Sequence, residues 1–240
     1  MIKGKKVKNM INQKIGISNG PVFKYSVWWI EVDWNDGSRT LTSKDILSVL
    51  EVTVSKHDEL LEGIYHKGQE KIWDGREMLL SLIRKHNGLR FKDTSTRRSV
   101  YRIFKMILKG EEAAWKISLQ LGSMLDNIPA RMAATSQAHD EARHFYVMRD
   151  YLGMCDCGTI DIPVSVNRFL ETVINTDDLV KKMLGMQLMV EPVALTIFQE
   201  IRKINIEPVL SELLVYYERD EARHVALGVQ HLPVVMKDMS

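Results

Sequence analysis

The sequence predicts an all-α protein: a four-helix bundle with extra N-terminal helices and an irregular N-terminal arm. Three features point there. Four segments, about 96–126, 130–153, 178–204 and 207–232, repeat apolar residues at helical spacing. Prolines and capping residues fall at or near their ends. The longest connection, 153–177, separates the second segment from the third, as a bundle of two helical hairpins requires.

The N-terminal part has a different texture. Residues 1–45 hold Gly4, Gly16, Gly20, Pro21 and Gly37, an Asn35-Asp36-Gly37 turn signal and an aromatic stretch from Tyr25 to Trp34, which reads as an arm with possible short strands. Ser43 is a candidate N-cap for the first helical stretch, and 58–86 carries two further helical runs. Residues 1–95 therefore read as arm and accessory helices, and 96–240 as the bundle, within one structural domain overall.

The bundle helices are justified in turn. Pro129 sits near the start of the second, a position where its missing N–H costs nothing, and Gly153 is a candidate C-terminal stop. Thr176 or Asp177 is the candidate cap of the third, Pro208 opens the fourth, and Pro233 is its expected end. A short helix is expected at 164–174, inside the long connection.

The 240 residues with 45% apolar content suffice for one large core, and a net charge of +2 leaves no electrostatic footprint for nucleic acid. No run of 18 apolar residues exists, so no membrane span is expected. No signal-like apolar region follows Lys3, Lys5, Lys6 and Lys8, and the expected compartment is the cytoplasm. Cys155 and Cys157 form a Cys-Asp-Cys triplet, one residue short of a CxxC motif, and read as reduced loop thiols.

The chemistry is carried by a pentapeptide that occurs twice, Asp-Glu-Ala-Arg-His at 140–144 and at 220–224. Glutamate and histidine three apart share a helix face, so Glu141 with His144, and Glu221 with His224, are candidate metal half-sites. Both glutamates interrupt core-facing stripes of apolar or small residues, and a charge there must be paired or coordinated. The alternative is a buried Arg–Glu network through Arg143 and Arg223. In the third helix Glu191 is the one acidic residue between Met183 and Phe198, and Pro192 behind it should deform the helix. In the first helix Glu111 and Glu112 compete. Glu111 is preferred because its stripe, Ile107, Ala114, Ser118, Leu121 and Leu125, continues regularly on both sides. Thirty residues separate Glu111 from Glu141 and Glu191 from Glu221, which puts each pair at matching heights in its hairpin.

Gly110-Glu111-Glu112-Ala113 followed by Asp140-Glu-Ala-Arg-His144 resembles the ferritin-like di-iron carboxylate superfamily. It is similar to the hydroxylase subunits of bacterial multicomponent monooxygenases and to the ligand-binding oxidases related to ribonucleotide reductase small subunits, over roughly residues 100–232. The resemblance implies a ferritin-like four-helix bundle. It implies that Glu111, Glu141 and His144 hold one metal and Glu191, Glu221 and His224 the other, with some carboxylates bridging. It further implies that Asp140 supports His224 and that Asp220 supports His144 from behind. The implied cofactor is two Fe ions, with Mn/Fe as the variant. The implied activity is O2-dependent oxidation of a small or apolar organic substrate, with a ferredoxin or flavoprotein as electron donor and a homodimer as assembly. Ala114, Met148, Leu188 and Phe198 are candidate pocket residues.

The departures narrow this reading. Met148 stands where radical-forming reductase subunits carry tyrosine, and Ala114 and Met186 stand where the ligand-binding oxidases carry their cross-linked valine and tyrosine. The second full Glu-x-x-His argues against ferritin-type storage, and the chain lacks the cysteines of a rubrerythrin iron domain. The competing expectations are a metal-binding or radical-storing subunit without turnover, a desaturase for carrier-bound acyl chains, and an inert helical bundle.

Overall fold

Helix starts are set by side chains that accept the orphan N–H groups of the first turn. In the computed structural model, which describes residues 55–158 and 160–237, Ser55 caps α1 (Lys56–Glu70), Asp74 caps α2 (Gly75–His86), Asp93 caps α3 (Thr94–Met124) and Asn127 caps α4 (Ile128–Cys155). After α5 (Val164–Asn175), Asp178 caps α6, which runs through 179–204. Glu207 plays the same part for α7 (Pro208–Lys237), its Oε2 accepting from Leu210 N at 2.8 Å. Three helices end on a left-handed polar residue, Asn87, Asp156 and Asn205, the conformation that Asn and Asp tolerate. The described residues contain no strand. The arm at 1–45, including Ser43 and the Tyr25–Trp34 stretch, lies outside them.

The helices expected from residue 58 onward are present, with three corrected boundaries. Gly153 does not stop the second long helix, which continues to Cys155 and turns at Asp156. The third is capped by Asp178 rather than Thr176 or Asp177, although Thr176 Oγ1 accepts from Asp178 N at 3.2 Å. Pro233 does not end α7 but lies within it.

The deformation expected at Pro192 takes a specific form. α6 is a run of α-helix (Leu179–Gly185), a π-helical turn (Met186–Val190) and α-helix again (Glu191–Ile204). Proline lacks an N–H and its ring crowds the carbonyl four residues back; a widened turn relieves both. The π turn therefore ends directly on Glu191.

Helix α3 packs along α4, α6 along α7, and α4 against α7, while α1 and α2 lie across α4 and α7. The crossing of α1 over α4 is close at Gly68, where a Cβ would come within 2.3 Å of Ser136 Oγ. The core forms two apolar layers. One contains Phe104, Met148, Tyr151, Phe198 and Tyr217, the other Leu61, Ile117, Leu121, Met183 and Met186. On the long helices Glu111, Glu141, His144, Glu191, Glu221 and His224 fall between them. No helix among the described residues is long and apolar enough to cross a membrane. Cys155 is buried at the end of α4 and Cys157 half-buried beyond it; both are free thiols, and burial pushes the Cys155 thiol up to about 12.

Glu207 is completely buried, and it accepts from Arg90 N at 3.0 Å, Tyr151 OH at 3.2 Å and Leu210 N at 2.8 Å. Glu207→Ala removes a cap and strands buried donors, so it should cost about 3 kcal/mol of stability, read as a lowered denaturant midpoint at unchanged m-value. An unchanged midpoint would contradict this role.

Candidate metal centre

At the centre of the layer between the two apolar layers lie Glu111, Glu141, His144, Glu191, Glu221 and His224, each at most 4% exposed. Their elements bring them together as the helix periodicity requires. Glu111 comes from α3, Glu141 and His144 from one face of α4, Glu191 from the first turn after the π segment, and Glu221 and His224 from one face of α7. Glu112, the competitor of Glu111, points outward and pairs with Lys109 and Lys116, each at 2.9 Å.

The six groups divide into two sets of potential ligand atoms, each set mutually within 4.8 Å: Glu111, Glu141, His144 and Glu221, and Glu141, Glu191, Glu221 and His224. Glu141 and Glu221 belong to both. Glu221 turns Oε1 to His144 Nδ1 at 3.2 Å and Oε2 to His224 Nδ1 at 2.8 Å. Glu141 turns Oε2 to His144 Nδ1 at 3.4 Å and Oε1 to His224 Nδ1 at 2.9 Å. Glu111 Oε2 lies 3.5 Å from His144 Nδ1, and Glu191 Oε1 lies 3.6 Å from His224 Nδ1. Glu141 and Glu221 thus face both histidines, and Glu111 and Glu191 one each.

Both histidines present Nδ1 to the glutamates and Nε2 to an aspartate. His144 Nε2 is 3.3 Å from Asp220 Oδ2, and His224 Nε2 is 3.4 Å from Asp140 Oδ2, so each aspartate stands behind the histidine of the opposite helix. The arginines belong to this outer ring. Arg143 reaches Asp140, and Asp220 Oδ2 at 3.0 Å; Arg223 reaches Asp140 Oδ2 at 2.7 Å and Asp220 Oδ1 at 2.9 Å. The Arg–Glu network considered from sequence is therefore an Arg–Asp network. The ion-pair partners of the four inner glutamates are the two histidines.

Sequence reasoning missed four supporting side chains. Trp73 Nε1 donates to Asp220 Oδ2 at 2.8 Å and its ring lies under the Arg143 guanidinium. Tyr217 stacks on His144 at 4.2 Å between centroids and donates from OH to the His144 carbonyl at 2.7 Å. Gln137 and Gln187 form a buried amide pair beside Glu141 and Glu191. The signal for the glutamines was present: each stands four residues before an inner glutamate. Trp73 lies in a stretch without a recognisable motif. Of the pocket candidates, Met148 and Phe198 lie in one apolar layer, Ala114 in the other, and Leu188 packs against the latter. A surface groove of about 510 Å³ between α3 and α4 is lined instead by Trp115, Ser118, Leu119, Gly122, Ala138 and His139, among others.

Two features of this cluster fit a metal centre. Glu141 Oε2 and His144 Nδ1 are buried without a hydrogen-bond partner among the described residues, although oxygen and nitrogen face each other. The donor set, carboxylate oxygens plus imidazole nitrogens, suits iron, manganese or zinc. The chain matches no protein-family model, no curated protein and no solved structure.

Without metal, protons must neutralise the cluster. Burial, then the charges of neighbouring glutamates, raises Glu191 well above its ordinary value, and burial does the same for Glu111. Burial and Glu221 push Glu141 up, but the two histidines outweigh them and hold it at about 2. Burial opposes charging of His144 and His224, yet the carboxylates overcome it and raise both well above 6.5. Glu111, Glu191 and both histidines thus bind protons more tightly folded than unfolded. Their contribution is present at low pH and lost as pH rises, beginning at 4.5 for the glutamates and 6.5 for the histidines. Glu141 and Asp220 work in the opposite sense and lose their contribution only below 4.5 and 3.8. The Tm of chelator-treated protein should fall between about pH 6 and about pH 9. A Tm that rises over this range would contradict the protonation pattern.

Proposed function

We propose that this chain is a ferritin-like di-iron carboxylate protein that activates O2 to oxidise a small or apolar organic substrate. The observation that carries the reading is the double set of buried ligand atoms sharing Glu141 and Glu221, with one Nδ1 directed into each set. In this reading Glu111, Glu141, His144 and Glu221 hold one ion, and Glu141, Glu191, Glu221 and His224 the other. Iron bound there would supply the redox chemistry of O2 reduction, with an external donor to restore its electrons.

The chain's own residues do the rest. Asp140 and Asp220 accept the Nε2 proton of His224 and His144, which fixes the tautomer that leaves Nδ1 free to coordinate. Burial opposes ionisation of both aspartates; the hydrogen bond and charge of His224 overcome it for Asp140, and those of His144, with the Arg223 charge and the Trp73 hydrogen bond, for Asp220. Tyr217 locks the plane of the His144 ring. The two apolar layers exclude water from above and below, and Met148, Phe198, Ala114 and Leu188 are the side chains from which a substrate pocket would be shaped. A ferredoxin or flavoprotein would deliver electrons, and the working form would be a cytoplasmic homodimer. Met148 in place of the radical tyrosine disfavours a radical-storing subunit.

The test is anaerobic loading with ferrous iron followed by rapid mixing with O2. The reading expects fast iron oxidation that stops once the bound iron is consumed, and its loss in Glu221→Ala. Iron that binds but does not react would sink the oxygen-activating role, and continued uptake would indicate storage. Glu111→Ala should lower bound iron severalfold while Glu112→Ala leaves it near wild type, measured as iron per chain. The reverse order would remove Glu111 from the ligand set.

A further inference from the structure

The two halves of the centre are nearly symmetric in their ligands but not in what stands one helical turn behind them. Four residues before Glu141 is Gln137, and four before Glu191 is Gln187; at the matching positions before Glu111 and Glu221 stand Ile107 and Tyr217. In a regular helix residues four apart share a face, which puts Ile107, Gln137 and Tyr217 against the carboxylate layer, whereas Gln187 lies in the π turn and meets it through Gln137. Of the four, Gln137 alone gives it N–H donors, and Gln187 backs Gln137. Gln137 Nε2 donates to Glu191 Oε1 at 2.5 Å and to Glu141 Oε1 at 3.3 Å, and Gln187 Nε2 donates to Gln137 Oε1 at 2.7 Å. Tyr217 spends its hydroxyl on the His144 carbonyl instead.

Both amides are at most 2% exposed, and an unpaired buried amide costs about 1–3 kcal/mol. Gln187 Nε2 takes up Gln137 Oε1, its own Oε1 having no partner among the described residues, and this leaves the Gln137 N–H groups to the carboxylates. Two features of the fold keep Gln187 in place. It lies in the π turn that ends on Glu191, and it packs on Gly228 of α7, where a Cβ would fall within 2.4 Å of Gln187 Cβ. The glycine is required by that approach and not by its backbone conformation.

We propose that Gln137 and Gln187 are positioning residues that make the two metal positions inequivalent. They hold Glu191 and one oxygen of Glu141 in place ahead of metal binding, so the position between Glu141, Glu191, Glu221 and His224 binds more tightly and fills first. The proposal rests on the two-metal reading above. Outer partners of ligating carboxylates contribute roughly 10–100-fold in metal affinity, which sets the scale of the difference.

The experiment is anaerobic titration of metal-free full-length protein with Co2+, followed by its visible absorption and by calorimetry. Wild type should show two binding steps of unequal affinity. Gln137→Met, which keeps the side-chain volume and removes the donor, should weaken the tighter step by roughly 10-fold and leave the weaker one in place. Gln187→Met should act in the same direction with smaller effect, and it decides the matter if the Gln137 variant does not fold. Glu112→Gln, on the outward face of α3, should leave the tighter step unchanged. Two equal steps in wild type, or a glutamine variant that weakens neither step or both alike, would overturn the proposal while preserving the metal centre. Absence of Co2+ binding in wild type would overturn the centre itself.

Discussion

Four glutamates and two histidines enclosed between two apolar layers repel and attract each other strongly, and the rest of the helical assembly answers to that constraint. Two carboxylates about 4 Å apart repel by roughly 4 kcal/mol even at a generous effective dielectric. A few such pairs would exceed the roughly 5–15 kcal/mol by which a domain is stable. Something positive must enter the layer. Protons on the histidines and on Glu111 and Glu191 can do so, and so can two divalent ions. An inert bundle would fill these positions with leucine.

The surrounding groups are arranged to preserve that demand for positive charge. The ion pairs of Arg143 and Arg223 are with Asp140 and Asp220, not with the inner glutamates. The guanidinium charge is thereby kept in an outer ring, where it stabilises the aspartates that orient the histidines. Trp73 reaches the same ring from the segment before α2, which ties an accessory element directly to the polar layer. Tyr217 on one half and the glutamine pair on the other show that the outer surroundings are not a repeat, although the pentapeptide is.

How much was legible in the sequence follows from which interactions are local. Glu-x-x-His is a one-turn relation, and the choice of Glu111 over Glu112 is a stripe relation, so both could be read from periodicity. The 30-residue intervals carried the heights of the two hairpins because each helix is regular over that length. Helix ends were less legible. Gly153 and Pro233 look like stops, yet α4 continues to Cys155, itself in one apolar layer, and α7 to Lys237, with Val235 packed against the other. The form of the deformation near Pro192 was open too, since a proline licenses a bend or a widened turn equally. Trp73 and the mutual orientation of Gln137 and Gln187 depend on contacts between distant segments, which no single helix pattern encodes.

The most direct test is anomalous diffraction from crystals grown with manganese or ferrous iron. The two-ion centre predicts two peaks per chain, one among Glu111, Glu141, His144 and Glu221 and the other among Glu141, Glu191, Glu221 and His224. A layer without any peak, or metal bound only at surface carboxylates, would contradict it.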